Sequence, residues 1–305
     1  MKVKKICILG YGSHVKKTII PSLDIKPKNI KIVTKKIIKD YETFTNIKLA
    51  LKKLTKDYVF FNSTPPKYHF STSKLILSSG FNIIIEKPIC INKNQLIKLN
   101  DIAKKKRLFM FENMMYLYSK QFQIVKNLIK KKRIKKINIR FAIPDFSKTS
   151  FRTNNIPESS ILYDMGCYPF SFISYFGFDN KNYKVSYKKK NKKIIFVKVL
   201  FNSKNIQFAI SLAIYKSYEN YIKIFFEDKS SFQFNHFFYG KKIQKLNYFV
   251  KSNKKVKILK IKEENLFKKI FSQSKEKLLK ISDSHYKVTK NYLISLSRIK
   301  KYIKL

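Results

Sequence analysis

Two glycines and a lysine carry the first chemical suggestion in this 305-residue chain. In "KICILGYGSH", Gly10 and Gly12 follow a short apolar run and precede a segment of helical spacing. Such a turn lets backbone N–H groups and a helix N-terminus approach a pyrophosphate; the first glycine permits the turn and the second the close approach. Val15 stands where a third small residue normally packs helix against strand, so the motif alone equally describes a plain strand, turn and helix. Further on, "FNIIIEKPICIN" ends an apolar run in Glu86-Lys87-Pro88. A strand ending there puts an ammonium at the carboxyl edge of a parallel sheet, where ligands of such sheets bind. A third stretch, "IVTKK", offers Thr34, Lys35 and Lys36 where an NAD site would place an acidic residue on the ribose. Cations and a hydroxyl suit a 2′-phosphate, so NADP(H) is expected over NAD(H), although adjacent lysines also arise readily in a chain this rich in them.

These residues need a scaffold, and the first third of the chain supplies its pattern. Short apolar runs, "KICIL", "NIKIVT", "VFFNST", "FNIIIE" and "LFMFEN", alternate with helical segments such as Asn94 to Lys105. Strands separated by helices imply parallel pairing in a doubly wound sheet. After about Ser119 the texture changes to long strand-like runs, among them "KKINIRFAIP", "KIIFVKVLF", "IQFAISLAIY", "YIKIFFED" and "SSFQFN", with little helix between them. The expected architecture is therefore α/β: a Rossmann domain over residues 1–118, then an α+β domain over residues 119–305 with a large, mostly antiparallel open sheet. Helical spacing returns from Glu264 to about Ile303, with Val288, Tyr292, Leu296 and Ile299 on one face.

Composition narrows the function classes. The net charge of +49 invites a polyanion-binding reading, since dense cations bind nucleic acids through counterion release. Yet the basic residues are 62 lysines and five arginines, spread along the whole chain, whereas guanidinium is the preferred group for bidentate phosphate and base recognition. With abundant Ile, Asn, Phe and Tyr, no Trp and six Gly, this reads as compositional drift on a metabolic protein, with no specific nucleic-acid partner. No apolar run approaches the ~18 residues of a membrane span, and the four-residue core Ile6 to Leu9 is too short for an export signal. Three cysteines without a C-x-x-C pair fit a reducing, cytoplasmic setting and give no zinc spacing.

Placed together, Gly10-x-Gly12 and the distant Glu86-Lys87-Pro88 give the chain a wider likeness: it resembles the Gfo/Idh/MocA family of NAD(P)-dependent oxidoreductases. The resemblance extends to "NSTPPKYHF", similar to that family's Thr-Pro-Pro-x-x-His loop, and to "MFENMMYLY", where Glu112 matches a Glu-containing strand end. It continues through "FAIPDFSKTSFRTNNIPESSILYDMGCYPF", by Pro144, Phe151, Arg152, Asp164, Gly166, Tyr168 and Pro169, and through Tyr218 and Asn220 of a Tyr-x-Asn strand. The resemblance is nearest to the sugar-ketoreductase and diol-dehydrogenase branches. It implies that Gly10, Gly12, Ser13, His14, Thr34, Lys35, Lys36, Ser63, Thr64, Pro65, His69, Glu86 and Lys87 hold the cofactor. It implies catalytic roles for Lys87, Tyr168 and Asp164, and substrate contacts from Glu112, Arg152, Asp164 and Tyr168. Hydride transfer at a carbinol carbon needs a group that gives or takes the hydroxyl proton. Tyr168 suits that role if the Lys87 charge lowers its pKa, while Asp164 orients a sugar hydroxyl or the lysine.

Some positions depart from the family pattern. Glu158-Ser159-Ser160 replaces a Gly-Gly-Gly, and Leu117, Ser119 and Lys120 replace an Arg and a His-Pro. These departures touch substrate contacts and catalytic efficiency more than the fold. The expectation is a hydride-transferring enzyme using NADP(H), or NAD(H), on a secondary alcohol or ketone of a sugar, sugar nucleotide or cyclic polyol. Its partners would be that carbohydrate-like substrate and further copies of itself, as a homodimer or homotetramer through the second sheet. The alternative is a cofactor-binding relative without turnover.

Overall fold

The computed structural model describes residues 3–145, 157–179, 182–191, 193–215, 217–238, 244–249, 259–261 and 264–303. The chain forms two compact units, Met1–Met114 with Asn265–Lys290, and Met115–Glu264 with Asn291–Leu305. A single boundary after residue 118 does not include this return of Asn265–Lys290 to the first unit.

The first unit is built on six strands: β1 (Ile6–Leu9), β2 (Ile30–Val33), β3 (Glu42–Phe44), β4 (Val59–Asn62), β5 (Asn82–Ile85) and β6 (Met110–Glu112). They lie in the order β3-β2-β1-β4-β5-β6, and all five pairings are parallel. Strands β1, β4 and β5 are buried at every position, which is why each reads as an unbroken apolar run rather than an alternation. The connections run through a π-helical turn Val15–Ile19 continued by α1 (Ile20–Ser22), then α2 (Ile47–Lys53), α3 (His69–Ser78) and α4 (Lys93–Lys105). Asn side chains start two of them: Asn46 accepts the Leu49 N–H and Asn92 the Gln95 N–H. Order reverses at β1, with β2 on one side and β4 on the other, so the ends of β1 and β4 flank the switch point of the sheet.

Among the described residues the second unit carries a sheet of eight strands: β7 (Ile134–Ile143), β8 (Lys184–Lys190), β9 (Lys193–Ser203), β10 (Ile206–Ile214), β11 (Glu219–Phe226), β12 (Ser231–Asn235), β13 (Gln244–Phe249) and β14 (Leu259–Ile261). Its order is β14-β13-β12-β11-β7-β10-β9-β8, antiparallel except between β7 and β10. Register puts Ile137 between Phe208 and Ile224, and Ile139 between Ile210 and Ile222, so one face is a continuous buried layer. The opposite face, with Asn138, Arg140, Ser211, Tyr221 and Lys223, is half-buried. The edge strand β8 exposes Lys184, Lys188, Lys189 and Lys190. Helices α5 (Lys120–Lys131), α6 (Ile161–Asp164) and α7 (Cys167–Tyr175) belong to this unit. Ser119 caps α5 by accepting the Phe122 N–H, and the Phe122 ring meets Phe172 and Tyr175 of α7 edge-on.

Two helices close the chain, α8 (Leu266–Phe271) and the 27-residue α9 (Lys275–Lys301). Tyr292, Leu296 and Ile299 are wholly buried as their spacing predicts. Val288 is only half-buried, because the stripe runs instead through His285 and Thr289, two polar residues that find buried partners in the first unit.

Candidate functional site

The carboxyl ends of β1, β2, β4 and β5 bring most of the expected cofactor residues to one edge of the first sheet. Gly10 adopts a φ of +89°, and a Cβ there would stand 2.9 Å from the Ser63 carbonyl oxygen, so this turn requires glycine. Its N–H donates to the Val33 carbonyl, Ser63 N–H donates to Leu9, and Glu86 N–H donates to Asn62. The three loops after β1, β4 and β5 are thereby tied to neighbouring strands before any ligand is considered. Gly12 and Ser13 are exposed, and a Cβ on Gly12 would meet nothing within 4 Å. Open space before a glycine turn at the switch point fits the approach of a dinucleotide's phosphates. At the end of β2, the Thr34 N–H donates to Phe44, while Lys35 and Lys36 are exposed.

The loop after β4 is organised by Asn62, a residue not anticipated from sequence. It is fully buried; its amide donates to Thr72 Oγ1 and Ser73 Oγ, and its carbonyl accepts from the Thr64 N–H and hydroxyl. Ser63, Thr64 and Pro65 follow with at least partial exposure, available to a ligand. Here the polar end of an apolar strand, "VFFN", was the available signal.

His69 and Glu112 are both enclosed by the first unit. His69, expected against the cofactor, is buried with Nδ1 2.8 Å from the Pro88 carbonyl and Nε2 2.7 Å from the Thr64 carbonyl. Both ring nitrogens are directed at loop backbone; burial is the larger influence and lowers its pKa. Glu112, expected at the substrate, is 1 % exposed. Its Oε1 accepts the Ile89 N–H at 2.8 Å and its Oε2 the Thr289 hydroxyl at 3.4 Å, which commits the carboxyl group to the protein interior.

Lys87 is half-buried in the segment after β5, joined to Pro88 by a cis peptide bond. Next to it, Glu86 accepts from Asn113 Nδ2 at 2.7 Å and stands 3.4 Å from His14 Nε2. Burial alone would raise the Glu86 pKa, but His14, Asn113 and Lys87 together bring it below the usual carboxylate value. His14 also packs edge-on against Phe267 of α8.

In the second unit, Asp164 ends α6 and is 2 % exposed. Tyr168 lies in the first turn of α7, half-buried, its ring stacked on Phe141 at 5.1 Å and flanked by Tyr116 and Phe238. Its backbone carbonyl accepts from Ser171 Oγ, and Ser171 in turn pairs with the Tyr116 hydroxyl at 2.8 Å, which fixes the start of α7. Gly166 has no alternative here, since a Cβ would stand 2.1 Å from the Leu162 carbonyl oxygen. Tyr218 meets Phe141 edge-on, and its hydroxyl accepts from Asn220 Nδ2. Arg152 and Phe151 lie outside the described residues. Among the described residues no three His, Cys, Asp or Glu side chains gather as a metal site, and no helix is long and apolar enough to cross a membrane.

No protein-family model matches the chain. A stretch of 108 residues is 25% identical to the dTDP-3,4-didehydro-2,6-dideoxy-alpha-D-glucose 3-reductase of Saccharopolyspora spinosa, spanning 34% of this chain and about a third, 32%, of that protein. Solved structures match over almost the whole length. KijD10, a 3-ketoreductase from Actinomadura kijaniata solved with NADP and TDP-benzene, superposes with a TM-score of 0.83 at 13% identity, covering 98% of this chain and 97% of its own. The putative oxidoreductase yvaA of Bacillus subtilis gives 0.76 at 16% identity over 99% and 98% of the two chains. The two units of this chain thus have the fold of these oxidoreductases, a Rossmann-type parallel sheet followed by a large mixed, mostly antiparallel one, as the resemblance to the Gfo/Idh/MocA family implied.

Proposed function

We propose that the chain is an NADP(H)-dependent oxidoreductase that interconverts a ketone and a secondary alcohol on a nucleotide-linked sugar. The observation that carries this reading is the glycine turn at the switch point, where Gly10 must be glycine and Gly12 faces open space beside the Ser63–Pro65 loop. Gly10, Gly12, Ser13, Ser63, Thr64 and Pro65 would hold the dinucleotide, and Thr34, Lys35 and Lys36 its 2′-phosphate. The choice of a nucleotide-linked sugar is supported by the name of the dTDP-sugar 3-reductase above and by the TDP-benzene bound to the KijD10 3-ketoreductase.

Bound NADPH supplies the hydride. The Lys87 ammonium donates a hydrogen bond to the substrate oxygen and stabilises the negative charge that grows there as the carbonyl is reduced. The Tyr168 hydroxyl is assigned the proton transfer of the reaction, giving a proton on reduction and taking one back in the reverse direction. Asp164, at the end of α6 one turn before Tyr168, is assigned to orient a sugar hydroxyl or the lysine. We also assign a cytoplasmic setting, and association of copies through the half-buried face of the second sheet.

The test is to mix the purified chain with NADPH and a dTDP-linked 3-keto-6-deoxyhexose. The expected result is loss of NADPH absorbance and a product bearing a new secondary alcohol. Absence of NADPH binding by calorimetry overturns the reading. Tight binding without turnover on nucleotide-linked, free and cyclic substrates favours a cofactor-binding relative instead.

A further inference from the structure

The Pro88 carbonyl and the Ile89 N–H, the first backbone polar groups after the Lys87 carbonyl, are both taken by buried side chains. Pro88 has no N–H, and its carbonyl faces His69 Nδ1 at 2.8 Å. The Ile89 N–H donates to Glu112 Oε1 at 2.8 Å, and Ile89 is itself 1 % exposed, so water cannot replace that acceptor. Glu112 is fixed in turn. Its strand β6 pairs with β5 through Ile85↔Glu112, its Oε2 accepts from Thr289 of α9, and its carbonyl faces His285 Nδ1 at 3.3 Å. On the near side, Asn113, the residue after Glu112, donates from its side chain to Glu86 and from its backbone to Ile85. One strand end therefore grips the segment on both sides of Lys87.

We propose that Glu112 is a positioning residue for Lys87, holding the Ile89 amide so that the lysine is presented at a fixed place, with Thr289 as its anchor. The inference deepens the oxidoreductase reading and rests on it for its catalytic consequence. A 1 Å misplacement of a reacting group can cost about 10²-fold in rate, so loss of this hold acts on turnover while the glycine turn and the Ser63–Pro65 loop stay intact. Glu112→Gln keeps a carbonyl oxygen for Ile89 and reverses the hydrogen bond with the Thr289 hydroxyl. Glu112→Leu removes both.

The test has two arms, each on the full chain. In hydrogen exchange, the segment 86–91 of E112L exchanges at least about tenfold faster than wild type, while E112Q stays within about twofold and T289V lies between them. In steady-state kinetics, E112L loses about 10²-fold in kcat with the NADPH dissociation constant within about twofold of wild type, and E112Q regains most of that loss. In a Lys87→Ala background, E112L adds no further loss, because the effect passes through the lysine. Equal losses in both backgrounds, or unchanged exchange in E112L, overturn the proposal and leave Glu112 a packing residue. Should E112L fail to fold, T289V carries both arms, with a smaller change of the same pattern expected. If the wild-type chain turns over no sugar, the oxidoreductase reading fails, and the exchange arm alone still decides whether Glu112 holds the segment.

Discussion

Replacing His285 with Gln should remove a defined part of the chain's sensitivity to mild acid. His285 is 8 % exposed on α9, its Nδ1 facing the Glu112 carbonyl and its ring edge-on to Phe111 at 5.6 Å. Burial lowers its pKa from 6.5 to about 4, with the Glu112 carbonyl opposing the shift. The folded chain thus keeps His285 neutral at pH values where the unfolded chain protonates it. For a depressed histidine, the stabilising contribution is whole above the unfolded value, shrinks as pH falls below 6.5 and is gone near 4. Integrating between those two values gives about 2 kcal/mol lost from about pH 7 to about pH 5, and about 3 kcal/mol in all. Urea unfolding of wild type and H285Q at both pH values measures it, because Gln retains a donor for the carbonyl but does not titrate. His69, also depressed by burial, contributes to the slope of both proteins and cancels in the difference. Parallel losses in the two proteins would refute the assignment.

Three further outcomes are expected. NADPH should bind at least about tenfold more tightly than NADH, the effect of one charge-assisted hydrogen bond, and the preference should disappear when Lys35 and Lys36 are both changed to Ala; calorimetry reads both. Lys87→Ala should nearly abolish turnover with NADPH affinity retained, and Tyr168→Phe should cost about 10²- to 10⁴-fold in rate, with kcat and the pH–rate profile as the check. Gly10→Ala should lower the melting temperature and weaken NADPH binding, since its Cβ collides with the Ser63 carbonyl at a positive φ, whereas Gly12→Ala should weaken binding with little change in melting.

Local pattern disclosed the strands that burial makes apolar. β1, β4 and β5 stand out as unbroken runs, and α4 begins within a residue of the place its spacing indicates. The elements that escaped are polar on their own surface. β3 has three residues with Glu42 exposed, β8 is mostly lysine, and in α5 only Phe122 and Val125 are wholly buried. The candidate site divides in the same way. Gly10 and Gly12 are legible because a tight turn leaves a mark in residue type, and Lys87 because it follows a strand directly. The actual partners of Glu112 and His69 are not legible, since they depend on contacts 23 and 19 residues away, and that of Glu112 with Thr289 on one 177 residues away. A motif match names a residue; the hold of the Glu112 carboxylate on the Ile89 amide becomes visible only in the fold.

The lysines of β8 bear on how this protein behaves in concentrated solution. A sheet edge offers unpaired backbone groups to any other edge, and growth by strand addition is the usual hazard. Here a second copy approaching that edge would bring four ammonium groups against four of the same sign, so zipping is opposed before the backbones meet. That protection is electrostatic and has a range: the screening length shrinks from about 10 Å at 0.1 M salt to about 3 Å at 1 M. Rising ionic strength therefore disarms the edge, and the chain should keep longest as a clear solution in dilute buffer, turning turbid with added salt.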